Sequence, residues 1–373
     1  MSFDVVKLAE VASFIMGQAP PGKSVNVLGQ GTPFYRSGEF GKQRPLLQAW
    51  TTNPLRLSNS SHVWVCVVGA NAGEVNRGAD GAIGRSVAAV VPGSSLDSQF
   101  LFYCLKNSEP WLRNRSAGSV QAVLSKNDLG ELEIPLVSLA EQKAIASMLG
   151  ALDEKIESNR RIQRTIENLM RALVNRALKL ASSGFASLAD YCNLVKDMVS
   201  VSQLDAQSHY ISFEHMPKGS ISLNEWGLQS GLASSKSRFS TGDVLFGKLR
   251  PYFKKVGLAP VEGVCSNDIL VLRPKSPSLR AFIAVVASSD ELIDYVSAAA
   301  TGTRMPRASW ADVAKWVVPK LSMPEIERLG ELTEPLVDKL LRVVHENRRL
   351  VELREALLPE LVSGRIRLGE FAA

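Results

Sequence analysis

No stretch of about 18 residues is both apolar and free of charge, so nothing in the chain reads as a membrane-spanning helix. The opening residues, MSFDVVKLAE, carry acids where a signal peptide would be basic, and a soluble, unexported, cytoplasmic protein is expected. Cysteine is scarce: Cys66, Cys104, Cys192 and Cys265 stand far apart and form no C-x-x-C pair. His209 and His215 lack cysteine or acidic company at ligand spacing, so no zinc site is expected and the cysteines read as reduced core residues. Catalytic signatures are missing as well. There is no G-x-S-x-G, no H-E-x-x-H, no G-x-G-x-x-G and no Pro-Pro-aromatic element after Asn or Asp. A chain without catalytic work of its own is the expectation.

One pattern speaks against that. GQAPPGKS, from Gly17 to Ser24, matches the phosphate-loop pattern G-x-x-x-x-G-K-[ST] and leaves an ATP-using enzyme as an alternative. A phosphate loop wraps phosphate with successive backbone amides and then opens a helix. Here Pro20 and Pro21 remove two of those amides, and VNVLGQGTPFY after Ser24 is strand- and turn-like. The match reads as an accident within a proline-stiffened loop, with Lys23 left as a candidate contact to a nucleic-acid phosphate.

What is present is enough apolar material, 45% of 373 residues, for two or three packed units. The net charge of +6 is spread as +2 over residues 1–137, +3 over 138–180, +3 over 181–320 and −2 over 321–373. One local block stands out. Between Lys236 and Lys255, six basic residues (Lys236, Arg238, Lys248, Arg250, Lys254, Lys255) face only Asp243, which suggests a polyanion surface.

The chain also repeats itself. With a constant offset of 184, residues 117–145 lie over 301–329: Gly118 falls on Gly302, Ser125 on Ser309, Asp128 on Asp312, Pro135 on Pro319, Ser138 on Ser322 and Glu141 on Glu325. The offset carries Leu152 onto Leu336 and Lys155 onto Lys339, and four more residues of shift put Asn159 on Asn347. Each copy has a β-like run ending in proline, an S-x-x-E capping box and a long helix. Upstream, GAIGRSVAAVVP (81–92) and GVCSNDILVLRP (263–274) share a pattern of glycine-started strands closing on proline.

The first helix, about 139–181, carries a seam through Ile145, Leu149, Leu152, Ile156, Asn159, Gln163, Ile166, Met170, Leu173, Ala177 and Leu180. The second, about 325–358, repeats it through Leu329, Leu332, Leu336, Leu340, Val343, Asn347, Leu350 and Leu357, with Pro335 expected to kink it or begin a new segment. Two such stripes most simply pair with each other, and Asn159 and Asn347 would then fix the register of the pair. The expected architecture is α/β (α+β). Two globular parts, 1–137 and 184–321, are separated by long coiled-coil helices in 138–183 and 322–373, with pseudo-twofold internal symmetry.

Two heads at a fixed spacing and a basic surface suggest double-stranded DNA read at two half-sites. In the first head, FYRSGEFGKQR (34–44) offers Arg36, Lys42, Gln43 and Arg44 beside Phe34 and Tyr35, and GEVNRGADGAIGR (73–85) adds Arg77 and Arg85. In the second, FGKLRPYFKK (246–255) interleaves Lys248, Arg250, Lys254 and Lys255 with Tyr252 and its neighbours. Lys126, Arg304 and Arg307 lie in matching stretches of the repeat. Arg and Gln can bond base edges, while Lys and Ser serve phosphate. A coiled-coil scaffold without nucleic acid is a further alternative.

The run IPLVSLAEQKAIASMLGALDEKIESNRRI (134–162) closely resembles the central conserved region of specificity subunits of type I restriction–modification systems. HENRRLVELREALLPELVSGRIRL (345–368) resembles their second conserved region, and FGKLRPYF with GVCSNDILVLRP resembles one class of their target recognition domains. The second copy departs at Ile326, where the first has Gln142. The resemblance implies two target recognition domains held apart by antiparallel helices, each reading half of a split, asymmetric DNA site. It implies that two methyltransferase subunits dock on the helices and that restriction subunits join them. S-adenosylmethionine, ATP and magnesium would be held by those partners and none by this chain.

Overall fold

Among the residues that recur at constant spacing, Ser125, Ser309, Ser138 and Ser322 turn the backbone at helix starts, while Gly118 and Gly302 lie outside the described residues. Ser125 accepts from the Asp128 amide at 3.1 Å and donates its own amide to the Asp128 carboxylate at 2.9 Å, opening the short helix Lys126–Gly130. Ser309 accepts from the Asp312 amide at 3.2 Å and opens Trp310–Ala314 in the same way. At the next corner each copy displays one half of the reciprocal box. The Glu141 amide donates to Ser138 Oγ at 3.3 Å, whereas Ser322 donates both its amide and its hydroxyl to the Glu325 carboxylate at 2.7 Å. Pro135 and Pro319 close the strands Glu133–Pro135 and Val317–Pro319, which pair antiparallel with Val5–Lys7 and Phe185–Ser187.

A computed structural model describes residues 3–41, 44–117, 123–231, 234–300 and 305–367. The chain divides into two compact units, residues 1–154 with 352–373, and residues 155–351. The same antiparallel four-stranded sheet occurs in both. In the first unit its order is Ala12–Met16, Val87–Pro92, Val63–Cys66, Val75–Arg77; in the second it is Cys192–Leu194, Ile269–Pro274, Val244–Gly247, Val256–Leu258. The inner strands are buried on both faces, which is why VWVC and VLFG read as unbroken apolar runs rather than alternating ones. Each sheet is backed by a helix, Ser98–Asn107 in one unit and Arg280–Ala287 in the other, and a second helix, Glu109–Ala117 or Asp290–Ala299, packs against the first. The four cysteines are buried thiols.

A second, five-stranded sheet shows where the copies part. Four strands correspond, including the parallel pairs Thr32–Tyr35 with Gly81–Ile83 and His209–Ile211 with Gly263–Cys265. The fifth strand joins opposite edges. Val25–Asn26 pairs with Ala49–Thr51 in the first unit, while Met198–Val199 pairs with Lys236–Phe239 in the second. The strands Gly81–Ile83 and Val87–Pro92 match Gly263–Cys265 and Ile269–Pro274 end for end, as their sequence pattern suggests.

The long helices are Leu139–Leu180, 42 residues or about 63 Å, and Met323–Ser363. Both are shared between the units. In the first, Ile145 and Leu149 join one core with Leu361 and Val362. In the second, Ile166, Met170 and Val174 join another with Ile326, Leu329, Val337 and Leu340. The start of one helix thus packs in the same core as the end of the other, and the pair is antiparallel. Pro335 does not begin a new segment, since the helix runs unbroken through it. The seam also shifts from a strict heptad. Leu332 and Leu180 are exposed at 51% and 67%, and Thr333, Val337 and Val174 take buried places, because the stripe follows the 3.6-residue turn. Asn159 and Asn347 are both buried, and the Asn159 amide donates to Glu346 at 3.1 Å.

Gly17–Ser24 does not build a phosphate loop. Gly22–Ser24 is one tight turn, closed by the Ser24 hydroxyl on the Pro21 carbonyl at 2.7 Å, and a strand follows at Val25. Gly17 is glycine because any side chain would strike the Gly84 carbonyl.

The buried stripe gives a discriminating pair of substitutions. Met170 is fully buried and Leu169 is 45% exposed. Met170→Ala is expected to cost about 2–5 kcal/mol in thermal or denaturant unfolding, and Leu169→Ala within about 0.5 kcal/mol.

Candidate nucleic-acid interface

In the first unit the loop after Tyr35 turns on a buried carboxylate. Glu39 accepts from the Arg36 amide at 2.7 Å and from Arg36 Nε at 3.0 Å, so Arg36 is held against the loop while its side chain stays 54% exposed. Gly84 lies close by: its amide donates to the Tyr35 carbonyl at 2.8 Å, and a Cβ there would stand 3.2 Å from the Arg36 side chain. The geometry thereby gathers Arg36 and the exposed Arg85 around one glycine corner. Arg44 is exposed on the far limb of the same loop, whose Gly41 amide donates to the Arg44 carbonyl at 3.1 Å. Lys23 and Lys126 are exposed, whereas Lys42 and Gln43 lie outside the described residues.

Arg77 is drawn inward. Its guanidinium lies 3.9 Å from the Phe102 ring centroid, bonds the Tyr103 hydroxyl at 3.0 Å and approaches Asp153 at 3.7 Å, leaving 13% of the side chain exposed. Asp153 also accepts from Tyr103 at 2.7 Å and from Arg354 at 3.1 Å, so one buried carboxylate ties the sheet, the helix behind it and both long helices together. Burial, first, and the Asp153 charge push the Tyr103 hydroxyl far above its ordinary range.

In the second unit the basic block divides. Lys236 and Lys255 are each only 8% exposed; Lys236 Nζ bonds Ser234, and Lys255 Nζ donates to the Phe213 carbonyl and sits 4.3 Å from the Phe213 ring centroid. Burial lowers the Lys255 pKa. Neither ammonium is presented to solvent, contrary to a reading of all six basic residues as one surface. Arg238 is 56% exposed, with Asp197 3.4 Å away.

The remaining residues come together. The Lys248 amide donates to the Asp268 carbonyl at 2.8 Å, the Ala308 amide to the Lys248 carbonyl at 3.0 Å, and the Arg250 amide to the Pro306 carbonyl at 2.8 Å. These bonds join loop 248–255 to the stretch carrying Arg307, whose guanidinium meets Asp268 at 3.2 Å while remaining 53% exposed. Tyr252 is 51% exposed and packs edge-on against Phe253. Lys254 pairs with Asp290 at 2.6 Å, and that bond holds the Asp290 carboxyl below its ordinary range. Arg304 lies outside the described residues. Sequence reasoning missed Lys218, exposed with Nζ 5.1 Å from the Phe253 ring centroid, and the exposed Arg56, whose carbonyl accepts from Ile83. Each is a lone basic residue with no local pattern to mark it.

The departure at Ile326 is also explained. Gln142 is fully buried and caps the entry to helix Ser98–Asn107, accepting from the Asp97 amide at 2.7 Å and donating to the Ser95 carbonyl at 2.9 Å. In the second unit Ile326 packs in an apolar core that includes Leu279, the residue preceding the matching helix, so no amide is needed.

Residues 2–168 match the family model described as the type I restriction modification DNA specificity domain. The MjaX type I restriction enzyme specificity subunit of Methanocaldococcus jannaschii is 35% identical over 181 residues, 47% of this chain and 42% of the relative. The EcoDI specificity subunit of Escherichia coli is 23% identical over 283 residues, 65% of this chain and 63% of the relative. The alignments span less than two thirds of the length of either relative. Among solved structures, the S subunit of the type I restriction–modification system from M. genitalium shares the fold, with a TM-score of 0.64 at 16% identity over 96% of each chain. The chain is thus similar in sequence to specificity subunits of type I restriction–modification systems.

Asp153→Ala would leave the buried Tyr103 and the half-buried Arg77 and Arg354 without their shared acceptor. A loss of about 3–5 kcal/mol in the unfolding of the first unit is expected, measured by thermal denaturation.

Proposed function

We propose that this chain is the non-catalytic DNA-specificity subunit of a type I restriction–modification complex. Each unit binds one half of a bipartite, asymmetric duplex site, and the long helices carry two methyltransferase subunits, to which restriction subunits are added. S-adenosylmethionine, ATP and magnesium belong to those partners, and the complex works in the cytoplasm. The observation that carries the reading is the paired occurrence of one fold with a basic loop cluster in each copy: Arg36 and Arg85 in the first, Lys218, Lys248, Arg250 and Arg307 in the second. Duplicated readers with different loops suit two different half-sites, and phosphate contacts by such residues would set position while neighbouring polar groups read base edges. Asn159 and Asn347 would serve as register marks for the helix pair. No helix among the described residues is long and apolar enough to cross a membrane.

Mapping methylated adenines in DNA from cells carrying this subunit and its methyltransferase tests the reading. The expected result is a single split motif of two unlike half-sites around an unspecified spacer. A continuous motif, or methylation independent of this chain, would contradict it.

A further inference from the structure

The loops that follow Val63–Cys66 and Val244–Gly247 are copies of one another. Val68 forms an isolated antiparallel bridge with Val123, and Leu249 forms the matching one with Arg307. The Cys66 amide donates to the Glu74 carbonyl and the Gly247 amide to the Lys255 carbonyl, both at 2.8 Å. This register sets Gly69 against Arg250 and Gly73 against Lys254. The backbone is left-handed at all four positions, with φ of 91° and 94° at the glycines and 48° and 51° at Arg250 and Lys254. Among the described residues, Arg250 and Lys254 are the only non-glycine residues with positive φ. The second copy thus places charged L-residues where the fold favours glycine, as the first copy has it. Charge follows the same division: Glu74 is the one charged residue in 67–74, whereas 248–255 holds Lys248, Arg250, Lys254 and Lys255 and no acid.

The two strained residues differ in what they touch. Lys254 is accounted for by Asp290 at 2.6 Å, at the start of a helix. Arg250 is partly exposed and has no ion pair among the described residues; its guanidinium lies only near the Phe253 ring, 5.9 Å from the centroid. The loop cannot easily relax, since the Arg250 amide and carbonyl are both bonded, to Pro306 and Phe253. At Gly69 a Cβ would meet nothing within 4 Å, so that corner is open to solvent-side growth, whereas at Gly73 it would stand 2.7 Å from the Arg113 amide. Strain of this kind persists where a side chain has work that outweighs it.

We propose that Arg250 is a DNA phosphate anchor used by the second unit alone, its counterpart in the first unit being left empty by Gly69, so that the two units hold the duplex backbone unequally. The proposal rests on the DNA-specificity reading above. Its test uses the full chain assembled with its methyltransferase and a fluorescent random-sequence duplex titrated at several salt concentrations. Arg250→Gly is expected to bind several-fold more weakly with a salt slope shallower by about one, at an unchanged or higher Tm because glycine relieves the left-handed corner. Gly69→Arg is expected to steepen the slope by about one. An unchanged slope in Arg250→Gly, against clear salt-dependent binding by the parent, would overturn the proposal and leave the DNA reading standing. A Tm that falls along with binding would overturn it too, assigning Arg250 to loop structure. A parent complex that binds no duplex at any salt would remove the DNA reading itself.

Discussion

Each unit buries a stretch of both long helices, so the first is assembled from two separate pieces of chain, residues 1–154 and 352–373. The first core closes over Ile145 and Leu149 from one helix and Leu361 and Val362 from the other; the second closes over Met170 and Val174 with Leu329 and Val337. An apolar stripe on a helix of about 40 residues has to be covered along its whole length. Here the two units divide that task, and the ends of each helix answer to different cores. The polar fastenings obey the same rule: Asp153 with Arg354 in one unit, Lys155 with Glu346 at 3.0 Å in the other. Any displacement of one helix would therefore disturb packing in both units.

On this shared frame the two copies have drifted in chemistry while keeping their backbone. A buried amide at Gln142 becomes an apolar contact at Ile326, an added edge strand changes sides, and a glycine corner becomes an arginine. The last of these leaves the main-chain bonds of the corner intact, as the matching bridges at Val68 and Leu249 show. Divergence of this kind suits a pair of readers that share a scaffold and differ in what they contact.

The parts of the fold that were legible in the sequence are those fixed by local backbone need. Ser125, Ser309, Ser138 and Ser322 recur because helix starts need acceptors for free amides, and Pro135 and Pro319 recur where strands end. The long helices are legible from their apolar period, though a strict heptad seam includes Leu180 and Leu332, which the 3.6-residue turn carries out to solvent. The candidate surface was legible only in outline. Whether a basic side chain faces outward is decided by partners remote in sequence: Asp153 captures Arg77, and the Phe213 carbonyl captures Lys255. Lys218 escaped notice for the converse reason, since only the folded loop brings it to Phe253.

On the proposed DNA-specificity reading, the length of the shared helices fixes the number of bases between the two half-sites. The most direct measurement is to insert seven residues of matching heptad pattern into each long helix, beside Asn159 and Asn347, and to map adenine methylation by the resulting complex. Seven residues add about 10 Å of helix, close to three base steps of duplex. The expected result is a spacer longer by about that amount with both half-sites unchanged. An unaltered spacer in an active complex would contradict that reading.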